Sequence, residues 1–240
     1  LRFEKTEPIS TYLFAFTAGD YETITREREG QRITLYHSES DKDKLMRNTD
    51  QIFNLQFESL QWLEQYTNID YPFQKYDLIL IPSFQYSGME HPGAVYYRDS
   101  KMLLDKNASI REELSRANLI SHETAHMWFG DLVTMKWFNE VWLKEVFANF
   151  MADKMTRPQY PEVNHELNFL LNHYPSSYTI DRTEVANPIQ QKLHNMKDAG
   201  TLYGAIIYHK APIVMQKLEE MTGEEVLQNG LRRYLSENRY

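Results

Sequence analysis

The stretch SHETAHMWFGDLVTMKWFNEVWLKEVFANF, residues 121–150, predicts two helices joined by a short connection. Helical periodicity covers residues 110–129, Gly130 supplies a stop signal, and a second helix is predicted over residues 139–154. If the second helix folds back antiparallel to the first, side chains that are distant in the sequence meet between them.

The first of these helices contains a metal-binding pattern. His122 and His126 are four residues apart, so on a helix both imidazoles lie on one face and can point at one ion. Glu123 is placed to reach a water on that ion. Eighteen residues separate His126 from Glu145, which the second helix can deliver as a third ligand. Two imidazoles and one carboxylate favour a zinc ion, and leave cobalt or manganese open.

Strands and helices alternate on the N-terminal side of this pair, and helices dominate on its C-terminal side. Residues 157–200 are polar and punctuated by proline, and they give no clear assignment. The overall pattern predicts an α+β fold. The predicted strands are residues 12–16, 33–37, 76–82 and 94–98, and the further predicted helices are residues 41–66 and 199–221, where Pro212 should kink the helix or mark its start.

Composition excludes several classes of protein. The 240 residues carry a net charge of −8, which opposes binding to a phosphate backbone, so no nucleic-acid partner is expected. No apolar run reaches the roughly 18 residues of a membrane span. The chain has no cysteine, so a metal must be bound by His and carboxylates. Localisation stays unknown, with a periplasmic or extracytoplasmic location mildly favoured.

The sequence resembles the zinc aminopeptidases of the aminopeptidase N and leukotriene hydrolase type. The resemblance rests on the metal motif, on YPFQKYDLILIPSFQYSGMEHPG before it (residues 71–93), and on WFGDLVTMKWFNEVWLKEVFANF (residues 128–150). It implies a thermolysin-like zinc peptidase domain over residues 37–240, with a small β-sheet subdomain followed by a mainly helical one. It further implies that residues 1–36 are the C-terminal part of an N-terminal β-domain, and that a C-terminal helical domain is missing from this chain.

The resemblance also implies a substrate-binding segment, because SGMEH takes the place of the family motif Gly-x-Met-Glu-Asn. Glu90 would bind the free α-ammonium of a peptide, while Gly88 and Met89 would pair with the peptide through their backbone. Ser87 and His91 depart from the motif. Without the resemblance, a glutamate beside Pro-Gly is ordinarily a solvated turn residue.

A tyrosine completes the implied catalytic set. Tyr208 lies in a segment that resembles the family's Tyr-x-Lys-Gly, with Ala211 in place of the glycine, and its phenol would donate to the oxyanion. Tyr203 is the competing candidate, and a packed core tyrosine is the structural alternative.

Four further positions surround the metal motif. Lys144 stands where the family has Asn, and Val146 where it has Gly. Asp131 and Asp153 are candidates to accept a hydrogen bond from the ligand imidazoles, whose second ring N–H normally needs an acceptor. An ordinary helix-end or surface role is the alternative for both aspartates.

Together these features predict a zinc-dependent aminopeptidase with one zinc ion per chain. His122, His126 and Glu145 would hold the ion, Glu123 and Tyr208 would be catalytic, and peptides with a free N-terminus would be the substrates. A thermolysin-like endopeptidase and a catalytically silent peptide-binding module are the alternatives. The missing domains of the same polypeptide are the other expected partners.

Overall fold

The computed structural model describes residues 5–184 and 186–240, so residues 1–4 of the predicted N-terminal part lie outside it. Across the described residues, a five-stranded sheet is combined with a larger helical part, and the predicted α+β class is confirmed. The strands are Glu22–Arg28 (β1), Gln31–His37 (β2), Tyr76–Ile81 (β3), Gly88–Met89 (β4) and Val95–Arg98 (β5). The helices are Lys42–Thr67 (α1), Asp99–Met102 (α2), Ile110–His126 (α3), Val141–Gln159 (α4), His165–Asp181 (α5), Ala211–Thr222 (α6) and Glu224–Glu237 (α7).

The sheet has the strand order β1-β2-β3-β5-β4. A tight turn at Glu29 and Gly30, both with positive φ, joins β1 and β2 into an antiparallel hairpin. β2 and β3 are parallel and are connected through α1, as a parallel pair requires a long crossover. β4 pairs antiparallel with β5 at the end of the sheet, and its other edge pairs with no strand among the described residues.

The long helix α1 packs against α3, the helix that contains the metal motif. Asp41 caps its N-terminus by accepting a hydrogen bond from the Lys44 backbone at 2.9 Å. Two buried polar contacts fix the register of α1 against α3. Gln56 donates to Thr124 at 2.8 Å, and the hydroxyls of Ser59 and Ser121 lie 3.1 Å apart. A capping box formed by Ser109 and Glu112 begins α3.

The first predicted strand, residues 12–16, is wrong. Thr11–Leu13 forms a 3-10 turn in which Leu13 is buried, whereas the side chains of Phe14 and Phe16 are exposed. The strand that pairs with β2 is β1, whose residues are mostly exposed and polar. Backbone pairing at a sheet edge holds β1 in place, so it has no apolar pattern by which the sequence could reveal it.

The helix predicted over residues 199–221 is divided into three parts. A 3-10 segment covers Met196–Leu202, a π-helical turn covers Ile206–Lys210, and α6 follows. Pro212 lies in the first turn of α6, directly after the π-helical turn, so it marks the start of α6. The unassigned region 157–200 contains α5, which continues through Pro175.

β1 and β2 belong to the same sheet as β3, β4 and β5, and the predicted domain boundary at residue 37 falls at the end of β2. The division into an N-terminal β-domain and a catalytic domain therefore stays a prediction. None of the described helices combines the length and the apolar character needed to cross a membrane.

Candidate active site

A cleft of about 1110 Å³ opens between β4 and the helices α3 and α4. The eight residues predicted as metal ligands, catalytic residues or substrate-binding residues all line it, although they come from four separate parts of the chain. They are Gly88, Met89, Glu90, His122, Glu123, His126, Glu145 and Tyr208.

Three side-chain atoms in the cleft are arranged to bind one ion. The Nε2 atoms of His122 and His126 lie 3.0 Å apart, and Glu145 Oε2 lies 3.5 Å and 3.7 Å from them. A single point lies about 2.0 Å from all three atoms, which is the length of zinc–nitrogen and zinc–oxygen bonds. The antiparallel packing of α3 and α4 therefore brings the third ligand to the first two, as the spacing predicts.

The hydrogen bonds of the two imidazoles support metal binding. His122 Nδ1 donates to Asn149 Oδ1 at 3.0 Å, and His126 Nδ1 donates to the Phe129 carbonyl at 3.1 Å. Because both acceptors are oxygens without a proton, each neutral ring carries its proton on Nδ1 and directs the Nε2 lone pair into the cleft. Two lone pairs and a carboxylate converging at this distance fit a divalent cation.

Neither aspartate that the sequence put forward as the imidazole acceptor has that role, so this prediction is wrong. Asp153 accepts a hydrogen bond from Asn118 at 3.3 Å. Asp131 is 1% exposed, and neither of its carboxylate oxygens has a hydrogen-bond partner among the described residues. Burial raises the pKa of Asp131 well above its ordinary value, and Glu90 raises it further.

Glu123 is buried beside the ligand histidines. Burial raises the pKa of Glu123 to about 8; His122 lowers it, while Glu90 and Glu145 raise it. β4 passes so close to this carboxylate that a Cβ on Gly88 would overlap Glu123 Oε1. A larger residue at position 88 would therefore displace the Glu123 side chain, and the glycine is explained by this close approach and not by its φ.

Glu90 is 3% exposed and already has partners within the chain. Lys144 Nζ forms an ion pair with Glu90 Oε1, and the Tyr12 hydroxyl donates to the same oxygen at 3.3 Å. Burial raises the pKa of Glu90, but the Lys144 ammonium outweighs it and brings the pKa to about 2. His91, one of the departures from the family motif, donates through Nδ1 to the Leu13 carbonyl at 2.9 Å. It anchors the loop that carries Glu90.

Two tyrosines compete for the role of oxyanion donor. The rings of Tyr203 and Tyr208 are 6.4 Å apart, and both side chains line the cleft. Burial and the Glu145 carboxylate raise the pKa of Tyr208 well above its ordinary value. Burial raises the pKa of Tyr203 to about 12, although Lys144 lowers it. Both phenols therefore stay protonated and can donate, and the choice of Tyr208 stays a prediction.

The sequence reasoning missed three residues that contact the site. Asn149 lies four residues after Glu145 on α4, so helical spacing alone could have placed it on the same face. Lys144 departs from the family pattern, but no local pattern reveals its partner Glu90. Tyr12 reaches Glu90 across 78 positions of sequence, and no local pattern reveals that contact.

Comparison with known proteins supplies the context for this geometry. The profile described as "Peptidase family M1 domain" matches residues 52–240. The chain is 34% identical over 240 residues to the puromycin-sensitive aminopeptidase of Caenorhabditis elegans, covering 99% of this chain and 25% of the relative. It is 33% identical to the probable aminopeptidase 1 of Sulfurisphaera tokodaii, with 99% and 30% covered, and 32% identical to human endoplasmic reticulum aminopeptidase 2, with 99% and 24% covered.

The chain thus spans between about a quarter and a third of the length of these relatives. One relative's name places it in the endoplasmic reticulum, and none of the three names supports the periplasmic location that the sequence mildly favoured. The family match covers the metal motif, the loop with Glu90 and the segment with Tyr208. The chain therefore belongs to peptidase family M1.

Proposed function

We propose that this chain carries the catalytic site of a zinc-dependent aminopeptidase, which hydrolyses the N-terminal residue from peptides. The observation that carries the proposal is the position of Glu90. Ligand atoms of Glu90, Glu123 and His126 all lie within 4.8 Å of one another, so a carboxylate suited to an α-ammonium is adjacent to the hydrolytic group. The names of the aligned relatives, which are aminopeptidases, support the same activity.

His122, His126 and Glu145 would hold the ion. When bound, zinc would lower the pKa of a coordinated water and polarise the carbonyl of the scissile bond. The chain's own part is to fix the donors. Asn149 and the Phe129 carbonyl orient the two imidazoles, so the ligands need little rearrangement when the metal binds.

Glu123 would act as the base and then as the acid. Its carboxylate is buried beside the ligand histidines, with a ligand atom within 4.8 Å of one on His126, so it is placed to take a proton from the attacking water. The protonated carboxyl group can then return that proton to the amine that leaves. The close approach of Gly88 keeps this side chain between β4 and the ligand histidines.

Glu90 would fix the position at which the peptide is cut. Pairing of its carboxylate with the α-ammonium puts the first peptide bond, and no later one, beside Glu123. Gly88 and Met89 would hold the peptide backbone, because β4 has an edge that no described strand occupies. Tyr208 would donate a hydrogen bond from its phenol to the carbonyl oxygen as negative charge develops there.

The remaining details of the proposal follow from the resemblance. They are a thermolysin-like catalytic domain over residues 37–240, an N-terminal β-domain that ends near residue 36, zinc as the resident metal, and peptides with a free N-terminus as substrates. Further domains of the same polypeptide would complete the cleft, in keeping with the greater length of the relatives.

Paired anilide substrates test the proposal. The zinc-loaded protein should hydrolyse leucine p-nitroanilide and fail to hydrolyse its N-acetylated counterpart at a comparable rate. Glu123→Gln should abolish turnover and retain zinc at one equivalent per chain, measured by metal analysis. Activity that survives this substitution would refute the role of Glu123.

One observation favours a second candidate function, a thermolysin-like endopeptidase. Glu90 is already neutralised by Lys144, so the amine anchor is not free as it stands. Equal cleavage of the free and acetylated anilides would select the endopeptidase. Zinc binding without cleavage of either would select the silent peptide-binding module.

A further inference from the structure

Lys144 offers Glu90 the same chemical group that a peptide's N-terminus would offer. Its side chain is 6% exposed and lies in the cleft between Glu90 and Glu145. Lys144 Nζ pairs with Glu90 Oε1 and lies 3.4 Å from Glu145 Oε1. Its stem packs against Gly130, where an added Cβ would lie 3.0 Å from Lys144 Cγ. Packing of the stem therefore directs the ammonium to the amine anchor.

We propose that Lys144 is a specificity-determining residue. Its ammonium competes with the substrate α-ammonium for Glu90, and this competition weakens the preference of the cleft for ligands with a free N-terminus over ligands without one. The proposal rests on the role assigned to Glu90 in the proposed function. It goes beyond that function by stating that Lys144 lowers the affinity of ligands that carry a free amine relative to ligands that lack one.

The competition has a simple physical basis. A tethered ammonium acts at an effective concentration of about millimolar or more, so an incoming ammonium must displace it before pairing with Glu90. A ligand without the amine has nothing to displace and keeps its other contacts. The difference in affinity between the two ligands is therefore smaller when Lys144 is present.

Two features next to the pair would receive the displaced lysine. Lys144 Nζ is 4.9 Å from the centre of the Tyr12 ring, within the range of a cation–π contact, and it is 3.4 Å from Glu145 Oε1. The Tyr12 hydroxyl lies 3.3 Å from both Lys144 Nζ and Glu90 Oε1, so it can keep donating to Glu90 after the exchange. Displacement thus leaves no buried ammonium without a partner.

Two hydroxamates that differ only in the amine measure this competition directly. Leucine hydroxamate and 4-methylpentanoyl hydroxamate are titrated by calorimetry into the zinc-loaded protein and into Lys144→Met and Lys144→Arg. Methionine keeps the length of the side chain and removes the charge, whereas arginine keeps the charge. The ratio of the two affinities should rise at least about tenfold in Lys144→Met and stay within about threefold of the original in Lys144→Arg.

A double variant, Glu90→Gln with Lys144→Met, tests whether Lys144 acts through the Glu90 carboxylate. The gain in the affinity ratio should disappear in this double variant, because the anchor itself is then neutral. A ratio that does not rise in Lys144→Met, or a gain that survives in the double variant, overturns the proposal. The calorimetry needs no turnover. If neither the original protein nor its variants hydrolysed the anilides, that result would count against the proposed function alone.

Thermal unfolding of the metal-free protein gives a second readout and controls for folding. Lys144→Met leaves the buried Glu90 carboxylate without its cationic partner, so Tm should fall by about 6–20 °C. Adding Glu90→Gln should restore most of that loss. No restoration would mean that Lys144 stabilises the fold through other contacts, which would also overturn the pairing on which the competition depends.

Discussion

Asn149 Oδ1 accepts the Nδ1 proton of His122 at 3.0 Å, from one helical turn beyond Glu145. One face of α4 therefore supplies both a ligand and the group that orients another ligand. This coupling means that metal affinity should depend on a side chain that does not itself touch the ion.

Asn149→Ala should weaken zinc binding by about 10- to 100-fold, because His122 loses the acceptor that fixes its tautomer and ring orientation. The dissociation constant is measured by competition with a chelator of known affinity. Asn172→Ala, at an exposed position of α5, is the matched control and should bind zinc as the original protein does. An unchanged constant in Asn149→Ala would show that the hydrogen bond does not orient the ligand.

Gly88→Ala should destabilise the fold by about 1–3 kcal/mol, because the new methyl group overlaps the Glu123 carboxylate. It should also lower kcat by displacing that carboxylate. Gly230→Ala in α7 is the control: no described atom lies within 4 Å of the added Cβ, and alanine should stabilise the helix by about 0.5–1 kcal/mol. Denaturant titrations give both values. Equal stabilisation of the two variants would contradict the contact between β4 and Glu123.

Asp131→Asn should stabilise the metal-free protein at pH 7. Burial raises the pKa of Asp131 well above its ordinary value of 3.8, so the folded state holds the proton more tightly than the unfolded state does. The carboxyl's contribution to stability is therefore fully present below pH 3.8 and is lost as pH rises toward the folded pKa.

Asparagine has no such dependence, so the advantage of Asp131→Asn should grow from pH 3.8 to pH 7. The free energy of unfolding at several pH values measures it. Asp70→Asn, at an exposed position, should show no comparable trend. An advantage that is constant with pH would show that Asp131 has a partner after all.

Tyr208→Phe should lower kcat by about 10²–10³ with a smaller change in KM, because a donor to the developing oxyanion is lost. Tyr203→Phe should have the smaller effect of the two on kcat. Steady-state kinetics on a leucine anilide separate the alternatives. A larger loss of kcat in Tyr203→Phe would transfer the role to that residue.

Local patterns made the helix pair and its metal donors predictable. His122 and His126 are one turn apart on one helix, and Glu145 needs only an antiparallel return, which short connections between helices favour. The long helix α1 was equally readable from its periodicity and its Asp41 cap.

Contacts between distant parts of the chain could not be predicted in the same way. Tyr12 reaches Glu90 from a 3-10 turn that the sequence presents as a strand, and the exposed strand β1 has no apolar alternation. The pairing of Lys144 with Glu90 joins positions 54 residues apart, and tertiary packing alone decides it. The sequence could therefore identify the chemistry of the site, but it could not show that the amine anchor already has an internal partner.

The shared sheet also bears on how this polypeptide can be shortened. Excision at residue 37 would remove β1 and β2 and would uncover the edge of β3, a strand that is almost wholly buried. An uncovered apolar edge is a template for aggregation. The smallest autonomous unit should therefore begin before residue 22, upstream of both the resemblance-based boundary and the start of the family match.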